Sequence, residues 1–145
     1  MSETGRALRP LPEPDDELVV EFWEHCAAGR LSFQRCLQCS RWRHLPRHRC
    51  AACGSPEWIW QASSGRGRIF SWTVTHQPLL RDFPEPVPYA VLVVELEEGV
   101  RMVAGLRGLP PSELELDLPV EVVFETVGER AKLPFFRPRA SGARA

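Results

Sequence analysis

Cys36, Cys39, Cys50 and Cys53 form two C-x2-C pairs separated by ten residues, and this spacing constrains the chain more than any other feature. Two thiolates three positions apart on a tight turn can face one ion. A second such pair on a facing hairpin completes the tetrahedron that Zn²⁺ accepts. Gly54 follows the second pair and suits a left-handed turn, whereas Ser40 follows the first and is the more strained choice. Two disulfides are the competing use of four cysteines. Nothing at the N-terminus resembles a signal peptide, so the expectation is a reduced, cytoplasmic chain, in which this spacing favours metal. Four thiolates also suit iron in a rubredoxin-like site. With no open coordination position, the site reads as structural, a source of folding energy for a segment otherwise poor in core residues. Removing one ligand should unfold the ribbon. Cys26 stands outside the pattern, on the apolar side of an expected helix, and reads as a small buried hydrophobe.

At 145 residues and a formal net charge of −1, the chain suits one compact domain, or two small ones sharing an interface. The longest apolar stretch, around Tyr89 to Val94, falls well short of the ~20 residues a helical membrane span needs, so no membrane partner is expected. Of the 18 basic residues Lys132 alone is lysine, a bias read first as genome composition. Charge is uneven all the same, since the segment from Arg30 to Arg68 holds one acid, Glu57, among eight arginines. That is either a solvated ribbon surface or an anion-facing patch built on Arg35, Arg41, Arg43, Arg47 and Arg49, for phosphates or an acidic protein partner.

Residues 1–14 are polar and proline-rich and read as a flexible arm. A helix is expected over 15–30: Asp15 and Asp16 offer an N-cap, Leu18, Val19, Phe22, Trp23 and Cys26 recur at helical spacing, and Gly29 stops it. Its stripe covers the chain's own core by default. With only a small ribbon behind it, Phe22 and Trp23 become candidate anchors for another subunit. The ribbon is expected over 31–62 and a barrel over 63–137, with 138–145 as a tail. In the barrel, Arg68 to His76 alternates with Phe70, Trp72 and Val74 on the buried face. Tyr89 to Glu97 and Val100 to Leu106 form a hairpin through Glu98-Gly99. Val120, Val122 and Phe124 mark a fourth strand, and Leu133 to Phe136 a short edge. The fold class is therefore mainly β: an N-terminal helix, a four-cysteine ribbon and a small five-stranded OB-fold barrel.

From about Phe22 to Pro138 the chain resembles the zinc-ribbon plus OB-fold acyl-CoA-associated proteins, long described as a domain of unknown function. The resemblance rests on "FQRCLQCSRWRHLPRHRCAACGS", "SGRGRIFSWTVTH", "VPYAVLVVELEEGVRM", and "LPVEVVFE" followed by "LPFFRP". Two departures are Ser40, where a knuckle glycine is usual, and Leu116-Asp117-Leu118, where an Ile-Gly-Met type turn is common. The resemblance implies structural zinc on the four cysteines and an accessory subunit of a thiolase-superfamily enzyme: a thiolase, an acyltransferase or a lipid-transfer-protein-like aldolase. The partner would carry the nucleophile or base. This chain would dock through its helix and barrel and help form the acyl-CoA channel, with Arg41, Arg43 and Arg47 toward the CoA phosphates. The preferred case is the retro-aldolase of steroid side-chain degradation.

The residues alone make a poor case for independent catalysis, because His25, His44, His48 and His76 lack a partner at fixed spacing. His76, at a strand end, reads as surface rather than catalytic. A second class of function is a single-stranded nucleic-acid module, with arginines beside Trp42 or Trp72 pairing phosphate contacts with base stacking. The near-zero net charge argues against it. A third is a rubredoxin-like electron carrier, which requires iron.

Overall fold

A computed structural model describes residues 10–78 and 83–140. The flexible arm expected over 1–14 and the tail expected over 138–145 therefore lie largely outside the described residues.

Helix α1, Glu17–Ala27, starts where Asp16 takes an extended conformation and its Oδ1 accepts from the Leu18 N–H at 2.7 Å. It ends in a Schellman motif, with Gly29 at φ 77°, its N–H on Cys26 O and the Arg30 N–H on His25 O. Leu18, Phe22 and Cys26 face inward. That stripe packs on both the ribbon and the barrel, and fully burying a side chain such as Phe22 contributes about 1.5–3 kcal/mol.

The ribbon sheet places β1 (Ser32–Cys36) between β2 (Trp42–Arg43) and β3 (Trp58–Ala62), all antiparallel. The remaining strands are β4 (Arg66–Thr75), β5 (Tyr89–Leu96), β6 (Arg101–Leu106), β7 (Pro119–Val127) and β8 (Ala131–Pro138). They close into a five-stranded barrel in the order β4-β5-β6-β8-β7. β5 alternates strictly, with Ala90, Leu92, Val94 and Leu96 buried. At Gly105 on β6 a Cβ would meet the Phe135 ring at 2.7 Å, so the missing side chain lets the parallel β6–β8 contact form.

Ribbon and barrel share one core. Phe33, fully buried, joins Phe22, Cys26 and Leu31 with Ile69, Leu92, Val94, Val120 and Phe136. The helix thus has a substantial core to cover, and the ribbon is a lobe of that core.

Three expectations change. Phe70 is 43% exposed, because a bulge between Ile69 and Ser71 shifts the register and puts Ile69 inside instead; Trp72 and Val74 still pack against the core. The segment expected as a short edge, Leu133 to Phe136, is the centre of an eight-residue strand that pairs on both sides and closes the barrel. Pairing continues through Pro138, opposite Val120, so the barrel ends past residue 137.

Candidate metal centre and basic groove

The two cysteine pairs sit on matched turns. Ser40 N–H bonds Cys36 O at 3.0 Å and Gly54 N–H bonds Cys50 O at 2.8 Å. Cys36 N–H then takes Arg41 O, and Cys50 N–H takes Ser55 O. All four Sγ atoms lie within 4.8 Å of one another. The close pairs run between the turns, Cys36 to Cys53 and Cys39 to Cys50, each at 3.6 Å. A disulfide needs about 2.0 Å, and all four cysteines are free thiols. Zn–S bonds of about 2.3 Å would set tetrahedral sulfurs about 3.8 Å apart, close to the separations found. The donor set therefore fits one tetrahedral metal ion.

The turns also prepare the sulfurs as thiolates. Backbone N–H groups of Cys53 and Ala52 lower the Cys50 pKa to about 6, and those of Cys39 and Gln38 act downward on Cys36. At Cys53 the Ser55 N–H also pulls downward, but desolvation and the neighbouring sulfurs win and push it up to about 11. Four sulfurs this close cannot all ionise without a cation between them. Cys26 is fully buried on the inner face of α1, and desolvation raises its pKa to about 12.

Beside the metal turns opens a cavity of about 590 Å³ whose walls include Arg41, Arg43, Arg47 and Arg101. Arg43 is built into the ribbon rather than projecting from it. Its Nε donates to Gln34 Oε1 at 2.8 Å, its Nη2 to Arg47 O at 2.7 Å, and its guanidinium lies over the Trp58 ring at 5.8 Å. Gln34 is fully buried, and its Oε1 also accepts the Arg47 N–H at 2.7 Å. One side chain thereby holds Arg43 and Arg47 of the loop. Among the described residues, Gln34 Nε2 and Arg43 Nη1 are buried donors that make no hydrogen bond. Arg41 and Arg47 are exposed.

Arg101 and Gln34 are the residues that sequence reasoning missed. Arg101 lies far along the chain on β6, where its Nε donates to Glu95 at 3.1 Å and its guanidinium stacks on Phe70 at 3.7 Å. Only tertiary folding brings it to the ribbon's arginines. Gln34 sits in a strand between Phe33 and Arg35, and nothing in the sequence marks it as buried.

Of the candidate docking residues, Phe22 is 4% exposed and packs on Phe33, His44 and Trp23. The default reading of the stripe holds for it, and it is not available as an anchor. Trp23 is half-buried at the rim of an apolar groove of about 370 Å³, which Val19, Val93, Val103 and Pro134 also line. His44 packs against both the Phe22 and Phe33 rings, and desolvation lowers its pKa to about 4, so it is neutral. His76 is exposed just past β4.

A four-thiol ribbon bound through one helix to an OB-type barrel defines a two-lobed protein class. Family models describe both lobes: the rubredoxin-like zinc ribbon domain of ChsH2 matches residues 23–58, and the C-terminal OB-fold domain of ChsH2 matches 60–125. The chain belongs to this family, the DUF35 proteins. A DUF35 domain-containing scaffold protein of Methanothermobacter thermautotrophicus is 33% identical over 79% of this chain and 86% of that protein. The 3-oxo-4,17-pregnadiene-20-carboxyl-CoA hydratase alpha subunit of Mycobacterium tuberculosis is 37% identical over 81% of this chain. The chain spans only 41% and 36% of the hydratase alpha subunits it matches. Among solved structures, a chain of the Ltp2-ChsH2(DUF35) aldolase superposes with a TM-score of 0.79 at 35% identity, covering 87% of this chain and 98% of that one.

Proposed function

We propose that this chain is a non-catalytic accessory subunit that docks on a thiolase-superfamily enzyme and helps hold its CoA thioester substrate, with zinc on Cys36, Cys39, Cys50 and Cys53 as a structural ion. The observation that carries the reading is the juxtaposition of an arginine-walled cavity with the exposed rim of α1. The cavity suits the phosphates of CoA, with Arg41 and Arg47 reaching from its lip and Arg43 fixed in its wall. The rim, with half-buried Trp23 and exposed Val20, is where a partner would bury apolar surface.

The preferred partner is a lipid-transfer-protein-like retro-aldolase acting on steroid side chains. Two similarities support it: the Ltp2-ChsH2(DUF35) aldolase and the 3-oxo-4,17-pregnadiene-20-carboxyl-CoA hydratase alpha subunit. In such a complex the partner supplies the reacting groups. This chain shields and orients the CoA end, and its proposed compartment is the cytoplasm, where the thiols stay reduced. The zinc holds the matched turns together, and so fixes where the arginine loop between them stands.

Titration of the metal-loaded protein with acetyl-CoA and acetyl-dephospho-CoA tests the ligand half of the proposal. The intact cofactor should bind more tightly, and Arg47→Ala should reduce the difference. Equal binding of the two ligands by the wild-type chain contradicts it.

A further inference from the structure

The barrel is closed between β6 and β8 by only two register pairs, Gly105 with Phe135 and Leu106 with Phe136. The stretch of β6 before them, Arg101 to Ala104, has β5 on one side and, among the described residues, no strand on the other. We infer that this open edge, which borders the apolar groove beside α1, takes an extended segment of the partner subunit as an added strand. The segment carries apolar side chains at alternate positions and a carboxylate beside Arg101. This rests on the accessory-subunit reading given above and names the surface through which it acts.

Three observations carry the inference. The first is why the edge is open. In the parallel ladder the Arg107 N–H bonds Phe136 O at 2.8 Å. Continued back along both strands, the same pattern requires the residue at 134 to donate to Val103 O. That residue is Pro134, which has no N–H. The ladder stops there, and the earlier part of β8 pairs with β7 alone.

The second is the direction of the freed backbone groups. The Leu96 N–H bonds Val100 O at 2.8 Å, so in the antiparallel β5–β6 pair Val100, Met102 and Ala104 bond toward β5. Arg101 and Val103 then aim their N–H and C=O groups at the open side. Groups at every second residue are what a further strand pairs with, and an unpaired edge is a template for one. Arg101 to Gly105 spans about 13 Å, room for about four residues.

The third is the chemistry around the edge. Val19 and Trp23 of α1 face Val93 and Val103 of the barrel across the groove, and Val103 is 64% exposed. An added strand would cover these residues with every second side chain. Arg101 lines both this groove and the basic cavity, and the two spaces are lined by four arginines and no acid. Glu95 fixes the Arg101 Nε at 3.1 Å from outside them. The complement is a segment that brings its own carboxylate.

The test is hydrogen exchange, resolved to single amides, on the full metal-loaded chain alone and on the complex it retains from its native cells. Strand addition predicts that the Val103 amide exchanges at least about tenfold more slowly in the complex. The partner segment that gains protection should be extended, apolar at alternate positions, with an Asp or Glu at one end. Val103→Pro removes the outward N–H and leaves the bonds to β5 in place, so it should weaken the complex about tenfold or more. Val103→Ala keeps the N–H and should weaken it less. Arg101→Glu should be as harmful as the proline, and Arg101→Lys nearly silent. A retained partner that leaves Val103 unprotected overturns strand addition while the accessory reading stands. So does a protected partner segment that is helical or basic, or undiminished binding by Arg101→Glu. Protection of Val103 that grows with the concentration of the chain alone would put a second copy on the edge and overturn the partner assignment. Failure to retain any thiolase-fold subunit overturns both readings.

Discussion

Ser40 and Gly54 occupy equivalent positions on the two cysteine turns, at φ 66° and 75°, each donating its N–H to the carbonyl of the cysteine four residues earlier. Only glycine takes that conformation without penalty. Ser40→Gly should therefore stabilise the metal-loaded protein by about 1 kcal/mol, read as a rise in the urea midpoint. Gly54→Ser should lower it by a similar amount. An unchanged midpoint for both variants would show that the metal, not the turn, sets the local energetics.

Removing the metal should open the chain unevenly. Chelation or Cys50→Ser takes away the ion that joins the turns, but β5 and β6 pair with each other within the barrel and bury Leu92, Val94 and Met102. In hydrogen exchange, amides of β1 and β3 should lose protection first while those of β5 and β6 persist. Because Phe33 belongs to the shared core, the barrel that remains should also be less stable than in the loaded protein. Simultaneous loss of protection throughout would mean that ribbon and barrel fold as one unit.

His44 makes stability depend on pH. Its folded pKa, about 4, lies below the ordinary 6.5, so the unfolded chain binds more protons between those values and stability falls as pH drops through that window. Going from pH 7 to pH 5 should cost about 2 kcal/mol from this residue alone. The difference in denaturant midpoint between the two pH values should be smaller in His44→Gln than in the wild type. The same difference in both proteins would place His44 in water.

Gln34 separates folding from ligand binding. Gln34→Leu leaves Arg43 Nε and the Arg47 N–H without their acceptor and should cost about 1–3 kcal/mol per stranded donor. Gln34→Glu keeps the acceptor and neutralises Arg43. The melting temperature should then be largely retained while affinity for CoA falls. Unaltered CoA affinity in Gln34→Glu would remove Arg43 from the site.

Much of this architecture was legible in the chain. The cysteine spacing, the helix from Asp16 to Gly29 and the β5–β6 hairpin all follow from local signals: ligand pairs, caps and period-two alternation. The errors arose where the deciding contact is remote. Phe70 alternates correctly with Trp72, but a bulge against β5 turns it outward. The Leu133–Phe136 segment looked like an edge because its parallel partner, β6, lies well back in the sequence. Phe22 and Trp23 are adjacent on the helix, and only the packing of Phe33 and His44 shows that Phe22 is enclosed. The basic cavity was illegible for the same reason, since Arg101 on β6 lines it together with a loop contributed by the ribbon.

The central claim, an accessory subunit docked through α1, is tested most directly by affinity purification of the tagged chain from its native cells at moderate salt. The wild type should retain a thiolase-fold subunit in stoichiometric amount, identified by mass spectrometry. Trp23→Glu should lose that subunit while keeping its four-thiol metal and its melting transition; Phe22→Ala is uninformative here, since it would cost about 3–5 kcal/mol of core packing. Recovery of the chain alone, or with nucleic acid that is released as salt rises, would contradict the account.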